Sequence, residues 1–214
     1  MTELNLIQKL IVWVPPVLFA ITVHEVAHGW VAKRLGDPTA MMLGRLTLNP
    51  LKHVDPVGTL FMPGLLLFMG APFLFGWAKP VPVTFQNLRR PKQDMALVAI
   101  AGPAANLIMA ILWSVLLKIT LAMPEIAGEQ IQLMAYMGFA GISINVALMV
   151  LNLLPIPPLD GGRILVSLLP GPWSWHVSRM EPFGFFIVIG LLMFGILQSI
   201  LFSAQTIFFS ILGL

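Results

Sequence analysis

Five residues, His24-Glu25-Val26-Ala27-His28, combine two metal-binding imidazoles with a carboxylate. On a helix, positions i and i+4 share a face, so both imidazoles can hold one zinc ion. Glu25 stands beside them, where it can act as general base on a water that the zinc activates. This is the H-E-x-x-H spacing of a zinc hydrolase. A catalytic zinc takes three protein ligands and keeps one position open. The chain has no cysteine, so the third ligand must be His, Asp or Glu. Asp160 is a candidate, presented on Asn152-Leu153-Leu154-Pro155-Ile156-Pro157-Pro158-Leu159-Asp160-Gly161-Gly162-Arg163, where prolines and glycines interrupt helix. From spacing alone it is equally a ligand or the N-cap of a short apolar helix over 163–169.

The elements that must position these residues are apolar. The chain has 214 residues, 58% hydrophobic and 10% charged, against about 25% charged in an average soluble domain. It reads as an all-α polytopic membrane protein, a single integral-membrane domain over 1–214. The His motif follows the apolar run 10–23, so it lies within a span, where polar groups are costly and usually functional. Lys9 before an apolar run looks like a signal peptide, but no small-x-small site precedes His24; the stretch is expected to remain as the first span.

Spanning takes about 20 apolar residues. Candidate stretches are 6–32, 57–75, 95–122, 131–154 and 183–214, allowing about four to six transmembrane helices. The second is interrupted by Pro63, Gly64, Gly70 and Pro72. Basic residues arbitrate. Lys33, Arg34, Arg45 and Lys52 precede it, and Lys79, Arg89, Arg90 and Lys92 follow it. Crossing would put the two basic loops on opposite sides, against the positive-inside rule. Residues 57–75 are therefore expected to be re-entrant or interfacial, leaving four spans with the N-terminus outside. Ten of the twelve Lys and Arg then face the cytoplasm, all but Lys9 and Lys118. These residues are topology signals, and no nucleic-acid partner is expected. The net charge of +3 adds no reason for one. Gly76–Phe85, with Pro80 and Pro82 alternating with Val81 and Val83, reads as an extended strand or short β-hairpin at an incompletely paired edge.

The combination of His24-Glu25-Val26-Ala27-His28 with Asn152-x-x-Pro155-x-x-x-x-Asp160-Gly161 resembles the site-2 protease family of intramembrane zinc metalloproteases. Ala101-Gly102-Pro103-Ala104-Ala105-Asn106 is similar to the Ala-Gly-Pro element of that family. The resemblance covers about residues 10–165, motifs in order, and is nearest the minimal prokaryotic subgroup without PDZ or CBS domains. It implies one Zn2+ per chain on His24, His28 and Asp160, with Glu25 as catalytic base. It implies that Asn152 contacts the substrate or the oxyanion. The expected reaction is hydrolysis within transmembrane helices of membrane-protein substrates, in the lipid bilayer, from an active site facing the cytoplasmic side. The core would span about 8–165, followed by a C-terminal span over about 183–212.

Geometry agrees with that orientation. His24 lies 18 residues into the first span, about 27 Å along a helix, and Lys33 follows about 14 Å later. The site is then about 10 Å deep from the cytoplasmic face by the same rise. Substrate is expected to meet the 79–85 edge, with Val81 and Val83 in contact, by strand addition. Asn106 is a further candidate for substrate contact, or an interhelical bond like that expected of Asn145. A zinc-binding transporter or an inactive membrane scaffold is the competing class. Transport needs ligands along a path and no general base, and a dead scaffold would lack one of the four site residues. His53 reads as a turn residue or a second-metal ligand, and His176, between tryptophans, as interfacial. Gly102, Gly138 and Gly141 suit close helix approach. Asp94 reads as the N-cap of the third span.

Overall fold

The computed structural model describes residues 4–69, 76–122 and 128–214. Its helices, in chain order, are α1 (Leu6–Arg34), α2 (Thr39–Met42), α3 (Met62–Phe68), α4 (Pro91–Leu121), α5 (Glu129–Asn152), α6 (Asp160–Leu168), α7 (Gly171–Ser178), α8 (Glu181–Met193) and α9 (Ile196–Leu212). Among the described residues, three helical stretches, Leu6–Arg34, Pro91–Leu121 and Gln130–Asn152, are long and apolar enough to cross a membrane.

Helix α1 opens on a reciprocal cap. Asn5 Oδ1 accepts from the Gln8 N–H, and Gln8 Oε1 accepts from the Asn5 N–H, both at 2.9 Å. These bonds satisfy two of the donors that a helix start leaves open. The helix continues through Pro15 and Pro16. It stops at Gly36, whose φ of +117° favours glycine. There the Asp37 N–H reaches back to the Ala32 carbonyl at 2.9 Å. Helix α4 begins at Pro91, where a missing N–H costs nothing. The N-cap is thus Arg90, not Asp94. The Asp94 carboxylate instead reaches back from the first turn to accept the Arg90 N–H at 2.9 Å.

Helices α1, α4 and α5 form the bundle. Small residues bring α4 and α5 together: a Cβ on Gly141 would stand 2.3 Å from the Trp113 ring, and one on Gly138 3.0 Å from Leu117 Cβ. Ile142, Val146, Ala110 and Leu117 fill the seam. The pairings Asn106–Asn145, Trp113–Gly141 and Leu117–Gly138 run in opposite chain directions, so α4 and α5 are antiparallel.

One expectation is corrected. No strand occurs among the described residues, so Gly76–Phe85 is not a β-hairpin. Pro80 and Pro82 carry no N–H, and other backbone groups of the segment bond to side chains or isolated carbonyls instead of to a neighbouring strand. The C-terminal stretch 183–212 is built of two helices. It divides at Gly195, which closes α8 in a left-handed conformation (φ +75°). Helix α9 then packs on α5, with Phe139 and Phe209 stacked at 4.9 Å and Gln205 Nε2 donating to the Ser143 carbonyl at 3.2 Å.

The stretch 57–75 falls partly on residues 70–75, outside the described residues. Its two flanks meet. The Trp77 N–H donates to the Gly58 carbonyl at 3.1 Å, and Thr59 Oγ1 donates to the Trp77 carbonyl at 2.8 Å.

Candidate metal centre

His24 and His28 lie one turn apart on α1, and both are buried. Asp160 is the first residue of α6. Leu159 holds the N-cap position, and no side chain makes a capping bond there. The turn after α5 folds back tightly enough to return Asp160 to α1. A Cβ on Gly161 would stand 2.3 Å from the Leu153 carbonyl oxygen, and one on Gly162 2.3 Å from the Pro157 nitrogen.

The three side chains converge. The two Nε2 atoms are 3.0 Å apart. Asp160 Oδ2 lies 3.3 Å from His24 Nε2 and 3.2 Å from His28 Nε2. Zinc bonds of about 2.0–2.2 Å at tetrahedral angles set ligand atoms about 3.3–3.5 Å apart. The triangle therefore nearly matches one face of a zinc tetrahedron.

The far sides of the rings decide the protonation. His28 Nδ1 is 2.7 Å from the Val98 carbonyl, which can only accept, so Nδ1 carries the hydrogen. His24 Nδ1 is 2.6 Å from Asn106 Oδ1 and donates to it. In neutral imidazoles both Nε2 atoms are then bare lone pairs. They face each other and the buried Asp160 Oδ2, which has no hydrogen-bond donor. With neutral rings, three acceptors lie within contact distance and no donor lies between them, a group that could hold a metal ion. Gly102 of α4 leaves room for it. A Cβ there would stand 2.4 Å from His28 Nε2 and 2.6 Å from His24 Nε2.

Glu25 belongs to the same turn. Its Oε2 accepts the Val81 N–H at 2.7 Å. Val81 thus meets the centre through its backbone, while its side chain is buried against Gly29. Val83 packs with Ala32, Leu88 and Val98. The segment carrying both is pinned from several sides. Arg45 donates to the Lys79 and Pro80 carbonyls at 3.0 and 3.3 Å, and the His53 carbonyl accepts the Lys79 N–H at 2.9 Å. Asp37 accepts the Thr84 N–H at 2.7 Å, the Asn87 amide at 3.0 Å and both donors of Thr39. Burial alone would raise the pKa of Asp37; those four bonds hold it below its ordinary value.

Other expected residues are placed as follows. Asn106 lies behind His24, fully buried between α1 and α5. Asn152 ends α5, and its Nδ2 donates to the Leu148 carbonyl at 2.9 Å. One of its two amide hydrogens is committed there. His53 is buried, with Nε2 on the Thr47 carbonyl at 2.9 Å, as a turn residue would be. His176 lies edge-on to Trp175 at the surface. Sequence reading missed Arg45 and Asp37 as anchors of the Val81 segment. Neither carries a local signal of that role, because the groups of the segment that they bind lie more than thirty positions away.

The family model described as "Peptidase family M50" matches residues 14–124 and 117–195. The chain is 40% identical over 176 residues to "Putative zinc metalloprotease YwhC" of Bacillus subtilis (strain 168), covering 81% of this chain and 76% of that protein. It is 34% identical over 197 residues to "Putative zinc metalloprotease Rip2" of Mycolicibacterium smegmatis, covering 92% and 72%. No solved structure matches it. With the resemblance carried by His24-Glu25-x-x-His28 and Asp160 thus borne out, the chain belongs to peptidase family M50, the site-2 protease family of zinc metalloproteases.

Proposed function

We propose that this protein is an intramembrane endopeptidase that holds one zinc ion on His24, His28 and Asp160 and hydrolyses peptide bonds in transmembrane segments of other membrane proteins. The observation that carries the reading is the meeting of three buried acceptors, with no donor between them, beside the Glu25 carboxylate on an apolar helix. When bound, zinc supplies Lewis-acid polarisation and lowers the pKa of water to about 7.

The chain's own residues do the rest. Glu25 takes the proton from the attacking water and returns it to the leaving amine. The Val81 N–H, bonded to Oε2, holds the carboxylate in one orientation and leaves Oε1 for the water. Asn152 keeps one amide hydrogen beyond its bond to Leu148, available to the developing oxyanion. The extended backbone around Val81 and Val83, beside Glu25, is the surface against which an unwound substrate segment lies. The basic loops flanking 57–75 support a site on the cytoplasmic side. The meeting of Trp77 with Gly58 and Thr59 supports the re-entrant course of the intervening segment.

The test is Glu25→Gln in a reconstituted cleavage assay with a single-span substrate. Zinc content is expected to stay at one per chain while cleavage falls at least about 100-fold, the lower end of general acid–base contributions. Cleavage at the wild-type rate would remove Glu25 as the base.

A further inference from the structure

We infer that Asn106 and Asn145 form a two-amide relay that sets the tautomer and ring orientation of His24, which makes Asn106 a positioning residue of the metal centre. The inference rests on the zinc reading above and extends it to residues that no ligand motif contains.

Both asparagines are fully buried, in α4 and α5. Asn145 Nδ2 donates to the Gly141 carbonyl at 2.8 Å. That carbonyl can only accept, so Asn145 must turn its amide nitrogen toward Gly141 and its oxygen toward Asn106. Asn106 Nδ2 then donates to Asn145 Oδ1 at 2.9 Å and to the Ala20 carbonyl at 3.3 Å. With its nitrogen so committed, Asn106 presents Oδ1 to His24 Nδ1, at 2.6 Å. An oxygen there requires the hydrogen on Nδ1 and leaves Nε2 bare toward Asp160 and His28.

The direction of the chain of bonds is therefore set by a backbone carbonyl of α5 and passed through α4 to α1. Turning the Asn106 amide around would place an NH2 against Nδ1. The ring hydrogen would then move to Nε2 and block the ligand lone pair. His28 needs no relay, because the Val98 carbonyl holds its Nδ1 directly and has no nitrogen to swap. Partners that orient a ligating histidine commonly contribute about 10- to 100-fold in metal affinity.

The experiment measures metal binding without turnover. Detergent-purified apo-protein is titrated with Zn2+ against a competing chelator and, separately, with Co2+ while its visible absorption is recorded. Asn106→Leu is expected to weaken Zn2+ binding about 10- to 100-fold and to change the shape of the Co2+ spectrum. Asn145→Ala, which touches no ligand and frees the Asn106 amide to turn, is expected to weaken binding in the same direction by a smaller factor. A role limited to helix packing would lower the melting temperature and leave the Zn2+ affinity and Co2+ spectrum of the folded protein unchanged; that result overturns the inference. Should Asn106→Leu not fold, Asn145→Ala decides on the same readouts. A wild-type protein that binds no Zn2+ contradicts the metal reading itself, which separates the two failures.

Discussion

Each imidazole of the pair has one nitrogen committed to α4, through Asn106 for His24 and through Val98 for His28. In the neutral rings the other nitrogen of each carries no hydrogen and is turned toward the Asp160 carboxylate. This arrangement is unfavourable without a positive charge between the three, since lone pairs buried side by side repel. The same reasoning makes Gly102 a residue of the centre although it has no side chain. Gly102→Ala places a methyl group 2.4 Å from His28 Nε2. The variant is expected to bind Zn2+ at least about tenfold more weakly, the lower bound seen for disturbed ligand surroundings, as measured by chelator competition; undiminished affinity would show that α4 is not packed on the rings. The histidine pair and Glu25 are legible in the sequence because one helix turn carries all three. Asp160 is not settled by spacing, since the first residues of a helix attract acidic side chains for capping as well. What separates the readings is that α6 takes its N-cap at Leu159 and leaves the Asp160 carboxylate turned toward α1. Gly102 and Asn106 are recognisable as a motif but not in their roles, which depend on how α4 lies against α1.

The segment from Trp77 to Thr84 shows how an element can be extended without being a strand. Alternation of Pro and Val favours an extended backbone, and that much is legible. Pairing is not, because two of its donors are absent and four others bond to Gly58, His53, Glu25 and Asp37, which come from separate stretches. Its link to the centre is a single backbone donor, the Val81 N–H. Val81→Pro removes that donor while suiting an extended chain already flanked by Pro80 and Pro82. A hydrogen bond to a charged group is worth about 1.5–3 kcal/mol, or about 10- to 100-fold in rate if it acts through Glu25. The variant is expected to lose about that much cleavage in the reconstituted assay with its zinc content intact. Wild-type cleavage would show that the segment merely lies beside the base. The long helices are legible from apolar length and caps, including the stop at Gly36. The division of the C-terminal stretch at Gly195 is not, since an isolated glycine in an apolar run is equally compatible with an unbroken span.

Across the whole molecule, the centre is assembled from three places in the chain. Helix α1 brings the histidines and Glu25, α4 brings the groups that hold the rings, and the turn beyond α5 returns Asp160. Small residues where α4 meets α5 and α1 let the backbones approach, which suits a bilayer, where water does not drive apolar helices together. Apolar side chains such as Phe19, Ile108 and Leu112 face outward, as they would toward lipid. Zinc binding as proposed therefore depends most on Asp160, the proposed ligand farthest in sequence from the motif. The direct test is the zinc content of purified Asp160→Ala beside wild type and Glu25→Gln, by elemental analysis after exhaustive dialysis. One zinc per chain is expected in wild type and Glu25→Gln, and nearly none in Asp160→Ala. A full complement of zinc in Asp160→Ala, with the protein folded, would contradict the proposed binding.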